Sequence, residues 1–181
     1  STLFPYTTLF RSRTGAAPGF AFLAPDEERI AAEIGRALTP MAKPSGDLNG
    51  LRERLLDLMW DDVGVVRNER QLTAALGGLA ALRSELLSAG LGDQGLEFNL
   101  TWHDWLNLQN LLHTSEAIAL AALERQNSRG AHYREDFPEA GDLRTSTFTV
   151  VRQTGQAMKV ETAPVEFSIV APGQSLLNHA A

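Results

Sequence analysis

The sequence predicts a mainly α fold: a three-helix antiparallel bundle, spectrin-repeat-like, with a helical lead-in and a small C-terminal β-hairpin or sheet. Three observations predict it. Apolar residues recur at helical spacing through three long segments between residues 48 and 122. Loops of modest length separate those segments, which favours antiparallel neighbours. Beyond residue 144 the pattern turns to β-branched alternation.

The elements follow in order. Pro25-Asp26-Glu27-Glu28 is a helix-start signal, with acids where the helix dipole favours them. Ile30, Ile34, Ala37 and Leu38 give the lead-in helix its apolar stripe, and Pro40 ends it. Leu48, Leu51, Leu55, Leu58 and Met59 line the first bundle helix, which runs into the denser stretch Trp60–Asn68. Leu72, Leu76, Leu79, Leu82 and Leu86 line the second, which stops near Gly90. Trp105, Leu108, Leu112, Ser115, Ala119 and Ala122 line the third, whose alanine-rich end lets a neighbour approach closely. Strands are expected over 145–151, 158–162 and 165–170, with a turn at Gln153-Thr154-Gly155-Gln156 between the first two.

Composition narrows the function classes. The chain has 181 residues, 44% of them hydrophobic, which excludes disorder throughout. The net charge of −6 argues against a sequence-independent nucleic-acid binder. No apolar run is long enough to span a bilayer, so no membrane insertion is expected. Cysteine is absent, which removes thiolate nucleophiles and thiolate metal sites and fits a reducing, cytoplasmic setting.

The segment Ser128–Pro138 is the most informative. Five ionisable side chains, Arg129, His132, Arg134, Glu135 and Asp136, fall within eight residues at the end of a helix. Arg129 and Arg134 can clamp carboxylates, and His132 can act as acid or base. One reading is a site for an anionic substrate. The other is an ion-pair and capping network that pins the bundle to a neighbouring domain, and residue chemistry favours it. Other candidates weigh less. His113 and Glu116 form a single metal-capable pair on one helix. His103-Asp104 beside Trp102 and Trp105 reads as a helix-start cap with aromatic anchors rather than an acid/base dyad. Ser128 and His132 lack anything that positions an oxyanion hole.

Arg125–Pro138 resembles the signature of the C-terminal domain of the fumarate reductase/succinate dehydrogenase flavoprotein family, which includes L-aspartate oxidase. Met59–Asn68, including Arg67, resembles the same domain's other hallmark, and Ser115–Leu123 resembles its long helix. Ala131, where L-aspartate oxidases usually carry Leu, places the loop nearer the fumarate/succinate branch. The resemblance implies a parent enzyme that binds FAD in an N-terminal domain and passes hydride between the flavin and a small dicarboxylate. It implies no catalytic, cofactor-binding or metal-binding residue in this chain, and no phosphate cradle is assigned to it. Arg129, His132, Arg134, Asp136 and Arg67 are then interdomain or motif residues. The implied partners are the parent's own FAD-binding and capping domains and, as a further candidate, an iron–sulfur subunit. FAD belongs to the parent and is not expected on this chain alone. The alternative is a free-standing helical protein-interaction module.

The expected organisation has four parts. Residues 2–12 resemble the conceptual translation of a sequencing adapter, so 1–12 are set aside as an artefact. Residues 13–24 are expected to be the end of the FAD domain. Residues 25–140 form the helical domain, and 141–181 the β appendage and tail.

Overall fold

The computed structural model describes residues 26–172, except 156, together with 174. The expected adapter segment 1–12 and the expected FAD-domain remnant 13–24 lie outside the described residues. The chain divides into two units between Ala37 and Leu38.

In the first unit, Asp26 caps helix α1 (Glu27–Leu38) by accepting a bond from the Arg29 amide at 3.0 Å. An Arg36–Glu33 pair at 2.7 Å braces its last turn.

The second unit begins with a 3-10 turn, Thr39–Ala42, in which Pro40 is buried. The bundle consists of α2 (Leu48–Val63), α3 (Glu69–Ser88) and α4 (Leu100–Glu124), each packed against the other two. Asp47, Asn68 and Asn99 cap the three helices, each accepting from an amide three residues on at 2.9–3.0 Å. These oxygens satisfy donors that the first helical turn leaves without partners.

The core is the predicted stripes meeting face to face. Leu51 and Leu55 come from α2, Leu72, Leu79 and Leu86 from α3, and Trp105, Leu108 and Leu112 from α4. Each such side chain contributes roughly 1.5–3 kcal/mol of burial. Trp105 also donates its indole N–H to the carbonyls of Leu86 and Ala89 at 3.1 and 3.2 Å, which closes the end of α3. One ion pair spans each helix pair at the surface: Arg54–Glu85, Arg83–Glu116 and Arg52–Asp104. The chain before α2 is laced to the chain after α3. Gly90 donates to the Pro44 carbonyl at 2.7 Å, and a Cβ on Gly90 would collide with the Lys43 carbonyl.

Two small sheets follow. Strand β1 (Val66–Arg67) pairs in parallel with β2 (Tyr133–Arg134). Strands β3 (Thr147–Thr154) and β4 (Ala157–Pro164) form an antiparallel hairpin in which Thr147 faces Pro164 and Thr154 faces Ala157. Gly155, at φ 62°, supplies the left-handed residue this short turn needs. The hairpin lies against α4, the support that two strands alone require.

The expected strand over 165–170 does not form. Val165 donates to Ser146 at 2.9 Å, and the chain then continues as irregular structure. Pro164 has no N–H to carry a ladder onward. The fold is thus mainly helical, with a C-terminal hairpin of two strands. No helix among the described residues is long and apolar enough to cross a membrane.

Candidate functional site

The signature segment begins where α4 stops. Arg129 and His132 exchange backbone bonds at 2.9 and 3.1 Å, and Gly130 at φ 60° makes that reversal possible. The turn brings the chain back as β2, alongside β1. Residues 67 positions apart thereby become neighbours: Val66 pairs with Tyr133 and Arg67 with Arg134.

Arg134 is 1% exposed. Its Nε and Nη2 donate to the two oxygens of Asp136, both at 2.7 Å. Its Nη1 donates to the carbonyls of Ala122 and Leu123 at 2.9 and 3.0 Å, and it stacks 5.0 Å from the Phe137 ring centroid. The guanidinium therefore sits on the carbonyl end of α4, where the helix dipole favours a cation. Asp136 accepts a further bond from the Glu69 amide at 2.9 Å, so its carboxylate sits on the amide end of α3. The Arg134 guanidinium holds the Asp136 carboxyl well below the usual carboxylate range. One ion pair thus joins two helix ends of opposite polarity.

Arg67 serves a third end. Its Nε donates to the Val63 and Gly64 carbonyls at 3.0 and 2.7 Å, at the close of α2. Its Nη1 lies 3.0 Å from His132 Nδ1. Arginine has only hydrogens to offer, so Nδ1 is the acceptor and the proton resides on Nε2, which donates to the Arg125 carbonyl at 3.3 Å. Burial first, and then the charges of Arg125, Arg67 and Arg134, push the His132 imidazole below its ordinary pKa, against the lift given by the Arg125 carbonyl. Histidine is thus held neutral between two partners.

Arg129 donates to the Ala140 and Asp142 carbonyls and to Ser146 Oγ, and so directs the chain toward the hairpin. Ser128 receives the Arg134 amide and donates to the Phe137 carbonyl. All five residues singled out from sequence therefore take part in fastening helix ends and loops of one unit. The weaker candidates have structural partners too. Glu116 pairs with Arg83, and Asp104 with Arg52. The α4 cap is Asn99, not the His103-Asp104 pair. Two contributors went unnoticed in the sequence, Asn68 and the backbone amide of Glu69, because cap positions become definite only once the helix start is known.

A cleft of about 670 Å³ opens beside this network, bordered by Trp60, Val65, Val66, Arg67, Gln71 and Glu135. Trp60 is 80% exposed and Val65 73%, although both are large and apolar. Sequence reasoning missed this surface, for the residue types alone read as core.

The spacing of a dinucleotide cradle does occur once, since Gly90-Leu91-Gly92-Asp93-Gln94-Gly95 spells Gly-x-Gly-x-x-Gly. It does not fit the group. It follows helix α3 rather than a strand, Gly90 gives its amide to Pro44, and the Gly95 amide goes to the Asp93 carboxylate at 2.8 Å.

Comparison with known proteins gives the class: a helical domain of the kind found within flavoprotein subunits. It superimposes on the Mycobacterium smegmatis Sdh1 complex in the apo form with a TM-score of 0.68 and 28% identity, over 86% of this chain and 26% of that one. A quinol–fumarate reductase with menaquinol molecules gives a TM-score of 0.74 over 92% of this chain and 29% of that one, at 21% identity, a likeness of fold. The chain belongs to the family described as the fumarate reductase flavoprotein C-terminal domain, which matches residues 52–176. It is 39% identical over 89 residues to one of the subunits of the fumarate reductase (CoM/CoB) of Methanothermobacter marburgensis, covering 49% of this chain and 16% of that one. It is 36% identical over 105 residues to the succinate dehydrogenase flavoprotein subunit of Coxiella burnetii, covering 58% and 18%. It is also similar to L-aspartate oxidase 1 of Ralstonia nicotianae, at 34% over 87 residues, 48% of this chain and 15% of that one. The chain thus spans less than a fifth of the length of these curated relatives.

Proposed function

We propose that this chain is the C-terminal helical domain of a cytoplasmic, FAD-dependent oxidoreductase acting on a small dicarboxylate of the fumarate, succinate or aspartate type. In this reading it packs against FAD-binding and capping domains of the same polypeptide and performs no chemistry itself. One observation carries it: the residues that could have formed an anion or acid/base site are engaged in structure. Arg134 and Asp136 join α4 to α3, and Arg67 and His132 join α2 to α4. Each of these groups already holds a helix end, which supports a structural role for it. What the site offers instead is rigidity at the junction of three helices. FAD would supply hydride chemistry in the parent, and no residue described here is assigned to hold it.

The test is expression of the 181-residue chain beside the continuous polypeptide obtained by reading the gene upstream. The chain alone is expected to purify colourless and to lack fumarate- or succinate-dependent redox activity. The continuous polypeptide is expected to carry FAD. Flavin retained by the chain alone, or an upstream sequence without a dinucleotide-binding domain, overturns the reading.

A further inference from the structure

We propose that His132 is the catch of an acid-released latch: on taking up a second ring proton it lets go of Arg67, and residues 64–67, which connect α2 to α3, part from the turn that carries β2 while the bundle stays folded.

Both ring nitrogens of His132 are committed inside the fold, and the side chain is buried. Nε2 gives its hydrogen to the Arg125 carbonyl, and Nδ1 accepts from Arg67 Nη1 at 3.0 Å. A second proton has only Nδ1 to bind, and there it meets an N–H of Arg67. Turning the ring over brings no relief, because both nitrogens of an imidazolium are donors. The bond that closes the latch therefore exists only while the ring is neutral.

The surroundings oppose the charged ring from every side. Arg67 bears on it from β1, Arg125 from the end of α4 and Arg134 from β2. Arg129, in the same turn, directs its guanidinium away to Ala140, Asp142 and Ser146. The carboxylates of the region are engaged elsewhere. Asp136 is forked onto Arg134, and Glu135 accepts from Asn68. Asp61 of α2 borders the cleft beside Arg67, and Glu69 and Glu124, from α3 and α4, border a pocket beside Arg134. None of them bonds the ring. Burial, and then the three guanidinium charges, hold the imidazole below its ordinary pKa, so the closed latch takes a proton less readily than an open one.

The two sides of the latch are unequally anchored. The β2 side is fixed by Arg134 on the carbonyl end of α4 and by Asp136 on the amide end of α3. Residues 64–67 have less to hold them. Val65 and Val66 are exposed, and Arg67 Nε bonds only carbonyls on its own side, those of Val63 and Gly64. What ties the segment across is the two-residue ladder, the Glu135 amide on the Arg67 carbonyl at 2.8 Å, and the Arg67–His132 bond itself. A segment with so little burial opens locally at small cost, so losing one of these ties is felt there before it is felt in the core.

The test is a titration of the isotope-labelled 181-residue chain, followed by nuclear magnetic resonance from about pH 8 to about pH 5, a window that spans the ordinary histidine value. The His132 ring is expected to titrate below that value, and the amides of Arg67 and Glu135 to shift with the same midpoint. Hydrogen exchange of the Glu135 amide, corrected for the intrinsic effect of pH, is expected to speed up by as much as about tenfold per pH unit below about 6.5. It is expected to be insensitive to dilute urea, because a local opening exposes little surface, whereas exchange at Leu79 and Leu108 in the core rises with urea. His132→Gln, whose amide accepts from Arg67 and donates to Arg125, is expected to keep the Glu135 amide protected across the whole range. A ring that titrates while the Arg67 and Glu135 amides stay unmoved overturns the latch. So does Glu135 exchange with the urea dependence of Leu79 and Leu108, or an acid response that survives in the variant. The first two readings use the wild-type chain alone and decide the matter even where the variant fails to fold.

Discussion

Arg67 and Arg134 occupy one rung of the same two-stranded ladder, yet they meet different fates. Arg134 is enclosed, forked onto Asp136 and set on the end of α4. Arg67 is half-buried, set on the end of α2, and has a neutral imidazole where Arg134 has a carboxylate. The difference separates two jobs that residue type alone cannot distinguish. A guanidinium whose charge is cancelled inside the domain is part of its architecture. One that lacks a carboxylate partner among the described residues, as Arg67 does, is held by neutral carbonyls and an imidazole instead.

Arg134→Met should break the comparison most. It leaves the Asp136 carboxylate and two α4 carbonyls without their partner, and is expected to cost about 3–5 kcal/mol in urea unfolding of the 181-residue chain. Asp136→Asn keeps the shape but loses the charge, at about 1.5–3 kcal/mol. Arg67→Met on the same rung is expected to cost about 0.5–1.5 kcal/mol in the isolated chain, since it removes bonds to carbonyls and a neutral ring. Equal losses for Arg134 and Arg67 would erase the distinction.

Acid sharpens it further. His132 titrates lower in the folded chain than when unfolded, so the unfolded chain binds its proton first as pH falls. Stability should therefore decline from near pH 6.5 downward, toward the lower folded-state value. Asp136 is depressed as well, so a second decline begins near the ordinary carboxylate value and continues below it. Glutamine can accept from Arg67 and donate to Arg125, so His132→Gln should flatten the first decline and leave the second. A first phase that persists in the variant would place its origin elsewhere. At the small end, Arg54→Ala removes an exposed pair with Glu85 and should leave the urea midpoint unchanged within error.

The contrast also explains what the sequence could and could not reveal. The three bundle helices were legible because Leu51, Leu79 and Leu108 belong to stripes whose period is a property of the helix itself. The hairpin was legible from its alternation and from Gly155. The missing third strand was not, because a strand exists only through a neighbour, and among the described residues beyond Val165 no strand pairing forms. At the site, the residue types announced capping and ion pairing, and Arg129, His132, Arg134, Asp136 and Arg67 do engage in both. Their partners were illegible. That Arg67 lands on His132 depends on the parallel register of β1 with β2, fixed by the whole bundle. The exposure of Trp60 and Val65 was illegible for a further reason: an apolar residue next to a core helix reads as core until the packing around it is known.

The three tryptophans are distributed so that the molecule carries its own optical gauge. Trp105 is enclosed with its indole N–H engaged, Trp102 is intermediate, and Trp60 stands in water. Emission at the blue edge will follow the integrity of the interior. Emission at the red edge, and its quenching by iodide, will follow the exposure of Trp60. A single unlabelled sample can thus report the interior and the surface as separate signals.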